Sequence, residues 1–306
     1  MLKKILITGG SGFIGKSLVQ TILRQADVWL NLALRSGCDA YASVDKVTVF
    51  QIKGLDATTD WSAAVSECDL VIHIAARAHM PSRDASQNML YQQINTDATL
   101  NLARQAAAAK VKRFIFLSSI KVNGEGGDCI RYRPEDRPNP VGAYAVSKFK
   151  AEQGLLDMGH NGDLEVVILR PTLVYGPGVK GNFGNLLYWV RRGLPLPFKY
   201  INNKRNFVSI YNLIDVILLC IDNHKAINEV FLVSDGEDVS IAELVQHMAQ
   251  MMHRKARLFY IPPNLLVNIA RLFNQQAALQ KLCGSLRVDI SKTCELLEWT
   301  PKQHLF

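Results

Sequence analysis

The sequence lacks several features that mark specialised classes of protein. No apolar run reaches the ~18 residues of a membrane-spanning helix; the best candidate, residues 210–221, is short and carries Asp215. The six cysteines include no Cys-x-x-Cys pair, so we infer neither disulfides nor zinc and predict no metal site. The amino terminus passes directly into a strand-like run without the shape of a cleavable signal, which predicts a cytoplasmic protein without an integral membrane segment.

Acidic side chains are missing from one long stretch of the chain. Residues 166–214 contain no Asp or Glu but seven Lys or Arg, in a chain of net charge +8. A basic stretch attracts polyanions, and it leaves open nucleic acid, a membrane surface, a diphosphate substrate or a solvated face. Because nucleic-acid binding rests on charge alone, no nucleic-acid partner is predicted.

Strand and helix patterns alternate along the 306 residues, which suffice for one large or two smaller domains. Strands are predicted at residues 4–8, 28–34, 47–51, 70–74, 114–117, 166–170, 207–210 and 229–233. Helices are predicted at residues 16–25, 61–66, 89–109, 144–156, 213–221 and 239–252. The alternation predicts an α/β fold with a doubly wound parallel sheet, whose ligands bind beyond the carboxyl ends of the strands.

Two other segments have less regular patterns. Residues 171–185 are rich in glycine and proline and are predicted to form a loop that leaves the sheet. Residues 262–282 are apolar and largely helical. Burial in a small second domain is the preferred interpretation of that helix, and an amphipathic membrane helix is the alternative.

A glycine-rich turn lies between the first strand and the first helix. Its glycines fit two spacings, Gly10-x-Gly12-x-x-Gly15 and Gly9-x-x-Gly12-x-x-Gly15, and spacing alone does not choose between them. In this strand–turn–helix context, glycines let the backbone approach a pyrophosphate bound at the helix amino terminus. The turn therefore predicts a dinucleotide site.

The second strand ends without the acid that usually binds a ribose 2′-hydroxyl. Arg35 stands there instead and suits a 2′-phosphate, which favours NADP over NAD; a solvent-exposed arginine is the alternative. Asp56 is predicted either to meet the adenine edge or to cap the helix that follows it. His73 lies within the fourth strand and is predicted to be a core residue rather than a catalytic one.

Tyr144 and Lys148 are four positions apart, so a helix places them on one face. An ammonium beside a phenol favours the phenolate, and the pKa of Tyr144 is predicted to fall from its usual ~10. Such a phenol exchanges a proton with an alcohol or a ketone. Ser118 and Ser119 follow the fifth strand, where a hydroxyl can hold the substrate oxygen; a turn serine and an exposed Tyr–Lys pair are the alternatives.

Together these motifs resemble the extended short-chain dehydrogenase/reductases of the NAD-dependent epimerase/dehydratase family, and among them the UDP-sugar 4-epimerases. The matching motifs are residues 8–15 (TGGSGFIG), Asp56, residues 73–76 (HIAA), residues 117–119 (LSS), Tyr144-x-x-x-Lys148 and residues 169–171 (LRP). They recur in the family's order and spacing. The resemblance covers essentially the whole chain.

The resemblance implies a role for each matching residue. Gly9, Gly12 and Gly15 become the glycine motif, Tyr144 the acid/base, and Lys148 its partner and a ligand of the nicotinamide ribose. Ser119 rather than Ser118 becomes the catalytic serine. The implied site for NAD or NADP comprises Gly9, Gly12, Phe13, Ile14, Gly15, Arg35, Asp56, Ala75, Ala76, Tyr144 and Lys148. The implied substrate site comprises Ser119, Asn185, Leu186 and Arg205, with Asn185 and Leu186 starting a helix at the nucleotide and Arg205 gripping the diphosphate.

The resemblance also implies an organisation and partners. A Rossmann domain spans residues 1–170 and is rejoined by about 206–234, while residues 171–205 and 235–306 form a lobe that binds the nucleotide sugar. A UDP-sugar is the implied substrate. Family members usually dimerise through helices of the Rossmann domain, which implies a homodimer.

The sequence departs from the family pattern at several positions. The usual Val-Tyr-Gly is Val122-Asn123-Gly124, an asparagine common in 4-epimerases falls near Leu173, and no second arginine is clearly placed before Val288, where Lys281 is the candidate substitute. These departures leave the sugar and the reaction open.

Three functions are therefore weighed. The preferred one is a UDP-hexose 4-epimerase working through a 4-keto intermediate. The alternative is an NADPH-dependent UDP-4-keto-6-deoxy-hexose reductase for surface polysaccharide synthesis, which Arg35 would suit. A non-catalytic NAD(P)-sensing protein is the third, and the Tyr144–Lys148 pair argues against it.

Overall fold

A parallel seven-stranded sheet forms the centre of the computed structural model, which describes residues 3–25, 27–41, 43–78, 85–127, 130–262 and 283–302 and positions 265, 268, 271, 272 and 279. Its strand order is β10-β7-β5-β4-β1-β2-β3. The strands are β1 (Lys3–Thr8), β2 (Val28–Leu34), β3 (Val47–Gln51), β4 (Leu70–His73), β5 (Arg113–Leu117), β7 (Glu165–Pro171) and β10 (Glu229–Val233). The predicted α/β fold with a doubly wound parallel sheet is confirmed.

Two small parallel strand pairs, nine α-helices, three short 3₁₀ helices and one π-helical segment complete the elements whose bounds lie in the described residues. β6 (Arg131–Tyr132) pairs with β11 (Arg287–Val288), and β8 (Leu173–Tyr175) pairs with β9 (Phe207–Ser209). The helices are α1 (Phe13–Ile22), α2 (Ser62–Val65), α3 (Ala85–Tyr91), α4 (Ala98–Ala108), α5 (Gly142–His160), α6 (Gly181–Arg191), α7 (Ile210–Asp222), α8 (Ile241–Met251) and α9 (Ser291–Leu297). None of the helices in these residues is long and apolar enough to cross a membrane.

Both faces of the sheet are buried, as the nearly continuous apolar strands require. Ile115 and Leu117 of β5 join a cluster that contains residues of α1 and α7, while Phe114 and Phe116 join one that contains residues of α4 and α5. Each large apolar side chain contributes about 1.5–3 kcal/mol when it is fully buried. The two helical layers thus fix the strand ends at which the site lies.

A third hydrophobic cluster lies apart from the sheet. It contains Phe183 and Leu186 of α6, Leu244 and Met248 of α8, and Phe207 of β9. These residues come mainly from the segments predicted to form the substrate lobe. The exact division into two domains stays a prediction.

Three details of the sequence prediction are wrong. Residues 207–209 do not return to the main sheet, because β9 pairs with β8, a strand in the segment predicted as a loop. The predicted helix at 89–109 is divided by a π-helical segment, Gln92–Asp97, whose wider turn directs polar side chains towards α5. The first helix begins at Phe13 rather than residue 16. The apolar segment 262–282 lies largely outside the described residues.

Candidate active site

The glycine turn between β1 and α1 has a strict steric requirement. Gly9 has φ +78°, and a Cβ there would lie 2.8 Å from the amide nitrogen of Ala75. A Cβ on Gly15 would lie 2.1 Å from the carbonyl oxygen of Gly9, and one on Gly12 would lie 3.2 Å from it. Gly10 has only ordinary contacts, the nearest at 3.5 Å. The backbone therefore requires the spacing that begins at Gly9.

The amino terminus of α1 carries no capping side chain. Gly12 occupies the N-cap position with an extended backbone, and no acid lies in the first turn. The first amides of the helix therefore remain available as donors, and the helix dipole adds partial positive charge. Phe13 and Ile14 pack partly into the core and anchor this turn. These residues fit a bound pyrophosphate, and so the dinucleotide that the sequence predicts.

The two side chains predicted near the adenosine half are both exposed. Arg35 directly follows β2, and residues 28–38 contain no Asp or Glu. The carboxylate of Asp56 accepts hydrogen bonds from the amide and hydroxyl of Thr58, at 2.8 and 2.7 Å, which lower its pKa. Asp60, not Asp56, accepts the bond from the amide of Ser62 at the start of α2. The capping alternative for Asp56 is therefore wrong.

His73 is a satisfied core residue, as predicted. Its Nδ1 lies 2.7 Å from the hydroxyl of Thr8 and its Nε2 lies 3.0 Å from the hydroxyl of Thr99. Its ring stacks on Phe116, and burial together with the Lys148 charge lowers its pKa to about 3. The Thr8 hydroxyl also accepts from the amide of Ala75 at 3.3 Å. His73 thus supports the loop that carries Ala75 and the exposed Ala76 without acting on a ligand.

The two serines after β5 have different surroundings. Ser119 begins a 3₁₀ turn, where its Oγ accepts from the amide of Lys121 at 3.3 Å, and its hydroxyl lies close enough to the Tyr144 phenol to lower the pKa of that phenol. The Oγ of Ser118 is buried without a hydrogen-bond partner in the described part of the chain. The structure thus brings Ser119 to the tyrosine, as the resemblance implies, and leaves Ser118 apart.

Tyr144 and Lys148 both lie on α5, which confirms the predicted helix. The Lys148 side chain is buried, its Nζ donates to the carbonyl oxygen of Leu117 at 2.8 Å, and it lies 4.3 Å from the ring centroid of Phe116. Tyr144 is only partly buried, and its ring meets Tyr91 edge to face with centroids 6.2 Å apart. Tyr144 is therefore more accessible to a ligand than Lys148.

The predicted fall in the pKa of Tyr144 is wrong for the protein without ligands. Burial raises the pKa of Tyr144 to about 12, against the lowering effect of the Ser119 hydrogen bond. Burial lowers the pKa of Lys148 to about 7, opposed by the negative charge of Glu152. The cost of removing the Tyr144 phenolate and the Lys148 ammonium from water thus outweighs the attraction between them, on which the predicted fall in pKa was based.

A buried polar network behind Lys148 escaped the sequence analysis. Glu152 lies one turn beyond Lys148 on α5, and its carboxylate accepts from Nε and Nη2 of Arg170, at 3.0 and 2.6 Å. Nη1 of Arg170 donates to Asn123 at 2.9 Å, and Asn123 donates to the carbonyl of Arg133 at 3.0 Å. Asn123, where the family has tyrosine, therefore completes this network, and Arg170 adds nothing to the basic surface.

The π-helical segment also holds the tyrosine helix in place. The Asn95 side chain donates to the hydroxyl of Ser147 at 3.0 Å, and Thr96 donates to the carbonyl of Ser147 at 2.8 Å. Asn95 further exchanges two hydrogen bonds with the backbone of Arg77, at 2.8 and 3.1 Å. In the sequence, these contacts could have been suspected only from Asn95 and Thr96, two polar residues at positions that a helical pattern would bury.

Asn185 and Leu186, which the resemblance assigns to the substrate, differ in their exposure on α6. α6 begins at Gly181, so Asn185 and Leu186 lie inside the helix rather than at its start. Asn185 is exposed, whereas the Leu186 side chain is fully buried in the third hydrophobic cluster. A ligand would therefore meet Leu186 only through its backbone.

Arg205 is not a solvated surface charge. Its backbone exchanges two hydrogen bonds of 3.0 Å with Val239, and its guanidinium donates to the carbonyl of Gly284 at 3.1 Å. Burial lowers its pKa, and the charge of Glu125 opposes this shift. A half-buried arginine with spare donors is suited to a phosphate.

The arrangement of glycine turn, serine, tyrosine and lysine agrees with comparisons to known proteins. The model of the NAD dependent epimerase/dehydratase family matches residues 5–241. The chain belongs to this family. A UDP-glucose 4-epimerase of Vibrio cholerae is 43% identical over the whole of this chain and 93% of its own length. The residues that match the family thus include both the glycine turn and the Tyr144–Lys148 pair.

Two further relatives extend the family comparison. The N-acetyl-alpha-D-glucosaminyl-diphospho-ditrans,octacis-undecaprenol 4-epimerase of Escherichia coli O157:H7 is 26% identical over 86% of this chain and 76% of its own. The crystal structure of Bacillus cereus UDP-glucuronic acid 4-epimerase in complex with UDP-glucuronic acid and NAD superposes with a TM-score of 0.79. It is 22% identical and covers 99% of this chain and 95% of that chain, a likeness that shows the fold.

Proposed function

We propose that this protein is an NAD(P)-dependent UDP-hexose 4-epimerase that works through a 4-keto intermediate. The observation that carries the proposal is the position of Tyr144 beside the Ser119 hydroxyl at the carboxyl end of β5, on a helix that also presents Lys148. The Vibrio cholerae relative, a UDP-glucose 4-epimerase, is the strongest support from similarity. The Bacillus cereus epimerase crystallised with a UDP-sugar and NAD shares the fold.

Each group at the site has a defined task in this reaction. Tyr144 removes the proton from the C4 hydroxyl, and the Ser119 hydroxyl holds the same oxygen as the carbonyl forms. NAD or NADP, held at the turn of Gly9, Gly12 and Gly15 and beside Lys148, would supply the hydride exchange at C4 that makes and then reduces the keto sugar. Arg205 binds the diphosphate while the sugar turns over in the site.

The high pKa of Tyr144 has a consequence for this mechanism. A phenol with a pKa of about 12 is protonated at neutral pH and is therefore poised to return a proton to the keto oxygen. Removing a proton from the alcohol requires stabilisation of the phenolate by Ser119 and by the charged form of Lys148. We infer that Lys148, with a pKa of about 7, supplies this charge most fully below neutral pH.

The remaining assigned residues serve binding. The first-turn amides of α1, among them those of Phe13 and Ile14, hold the pyrophosphate in the turn that Gly9, Gly12 and Gly15 shape, while Asp56, Ala75 and Ala76 line the adenosine and ribose side. Asn185 and Leu186 meet the nucleotide of the substrate through α6. A homodimer and a cytoplasmic location complete the proposal.

One observation favours a second candidate. Arg35 is exposed at the end of β2 with no acid there, which suits a 2′-phosphate. An enzyme that takes up NADPH at each turnover would reduce a UDP-4-keto-6-deoxy-hexose for surface polysaccharide. The same site residues would act, with Tyr144 as the proton donor.

Identification of the bound dinucleotide separates the two candidates. The purified protein is denatured, the released dinucleotide is identified, and UDP-glucose is followed by proton NMR without added cofactor. Tightly bound NAD and inversion at C4 support the epimerase. An empty site that binds NADPH reversibly, with no inversion of any UDP-hexose, would replace it with the reductase.

A further inference from the structure

The basic character of the chain is concentrated in two stretches. Residues 244–288, like residues 166–214, contain no Asp or Glu. The two stretches hold 13 of the 35 Lys and Arg side chains and none of the 27 Asp and Glu, so the rest of the chain carries 22 basic and 27 acidic groups. The excess positive charge of the protein therefore comes entirely from these stretches.

The two acid-free stretches pack against each other. Leu196 and Leu258 form a parallel β-bridge, in which the amide of Leu196 donates to the carbonyl of Arg257 at 2.8 Å. The amide of Lys199 donates to the carbonyl of Phe259 at 3.2 Å. Residues 196–199 of the first stretch thus lie beside residues 257–259 of the second, which brings the exposed Lys199 and Arg257 to neighbouring segments.

Exposed aromatic rings lie on the same surface as the cations. Tyr200 and Tyr260 are 64% and 53% exposed, and their rings meet with centroids 5.4 Å apart. Lys199 Nζ lies 5.4 Å from the Tyr200 ring centroid, and Phe259 beside it is 41% exposed. We name this surface the basic ledge and define it by Lys199, Tyr200, Arg257, Phe259 and Tyr260.

We propose that the basic ledge docks the protein on the surface of an anionic phospholipid bilayer. Tyrosine rings suit the membrane–water interface because one end is apolar and the other polar, and long cationic side chains lay their stems along such a surface. Anionic headgroups attract clustered Lys and Arg. Neither stretch contributes an acidic side chain of its own that would repel anionic headgroups.

The composition of the ledge distinguishes lipid from the other occupants of a basic surface. Tyr200 and Tyr260 pack edge to face, which covers one ring face that a nucleic-acid base would otherwise use for stacking. Leu194, which follows α6 and lies two residues before Leu196, is 43% exposed. An exposed aliphatic side chain can insert among the lipid chains of a bilayer interface, whereas a nucleic acid offers it no apolar contact. A second copy of this chain would bring a like charge to the same face, which disfavours self-association.

Vesicle co-sedimentation of the full chain tests this proposal. Vesicles of phosphatidylcholine with phosphatidylglycerol are compared with vesicles of phosphatidylcholine alone, at low and at high salt. We expect binding to the anionic vesicles only, with a loss at high salt because exposed charges are screened. Lys199→Glu combined with Arg257→Glu should lower the partition coefficient at least about tenfold, since each basic side chain contributes appreciably to binding.

Matched variants separate the ledge from net charge. Arg24→Glu combined with Arg104→Glu makes the same change in charge at exposed positions outside the ledge and should retain most of the binding. Tyr200→Ser combined with Tyr260→Ser should weaken binding without any change in charge. Equal sedimentation with neutral vesicles, or equal losses for both charge reversals, would overturn the proposal. Binding to single-stranded DNA or self-association of the wild type, without vesicle binding, would also overturn it.

Discussion

Glu152 and Arg170 form a buried ion pair one helical turn beyond Lys148. The carboxylate and the guanidinium are joined by bonds of 2.6 and 3.0 Å, and their side chains are only 1% and 4% exposed. The remaining Nη1 donor of Arg170 meets Asn123, so the buried cation is well partnered. Because the charge of Glu152 also opposes the fall in the pKa of Lys148, the pair links the stability of the sheet to the chemistry of the site.

Replacing Glu152 with Gln should destabilise the protein by about 3–5 kcal/mol, because it leaves the Arg170 charge buried without a counterion. The pKa of Lys148 should fall further, and the pH dependence of turnover should shift towards acid. Urea unfolding and a pH–rate profile measure the two effects. Glu298→Gln, at an exposed ion pair with Lys225, is the control and should change neither. If Glu152→Gln unfolded at the wild-type urea concentration, the ion pair between Glu152 and Arg170 would not contribute to stability as predicted.

His73 should make the protein sensitive to acid. Its pKa is about 3 in the folded protein and ~6.5 in the unfolded chain, so the unfolded state binds the extra proton between these values. The free energy of unfolding should therefore be greatest above pH ~6.5 and decrease by up to ~1.4 kcal/mol per unit as the pH falls towards 3. His73→Gln should be less stable at neutral pH but lose less stability on acidification. Parallel pH profiles for the two proteins would contradict this assignment.

The central sheet could be predicted because its signals are local. β2, β3 and β10 begin and end at the predicted residues, because each is a largely apolar run of strand-forming residues between turns. The glycine spacing was ambiguous in the sequence. It became clear from the approach of Gly15 to the carbonyl of Gly9, a contact that only the folded turn creates.

The features that the sequence did not reveal depend on contacts between distant residues. Arg170 belonged to an apparently basic stretch, and only the fold shows that Glu152 neutralises it. The direction of the Tyr144 pKa shift is set by burial, which the spacing to Lys148 does not encode. β8 is too short and too rich in neighbouring glycine and proline to be distinguished from a loop without its partner β9.

Replacing Arg35 with Ala should weaken the binding of NADPH more than that of NADH. A guanidinium meets a 2′-phosphate with two charge-assisted hydrogen bonds, and NADH lacks that group. Fluorescence titration of both dinucleotides measures the effect, and Lys53→Ala, an exposed cation after β3, is the control. Equal losses for the two dinucleotides would remove the case for NADP.

Replacing Arg205 with Ala should raise the KM for the UDP-sugar and leave dinucleotide affinity unchanged. A charge-assisted phosphate contact contributes roughly 1.5–3 kcal/mol, so UDP affinity should fall by about one to two orders of magnitude. Calorimetry with UDP isolates this contact from the chemical step, and a thermal melt reports the loss of the bond to Gly284. Lys204→Ala, at the adjacent exposed cation, is the matched control. Unchanged UDP affinity in Arg205→Ala would exclude the diphosphate role.

The most direct test of the proposed mechanism is the rate of C4 inversion of UDP-glucose by Tyr144→Phe, measured beside its dinucleotide content. The phenylalanine retains the ring that packs against Tyr91 and removes only the hydroxyl beside Ser119. Because this hydroxyl carries the proton, kcat should fall by about 10²–10⁴-fold while the dinucleotide content stays at the wild-type level. Inversion at the wild-type rate by Tyr144→Phe would contradict the assignment of Tyr144 as the acid and base.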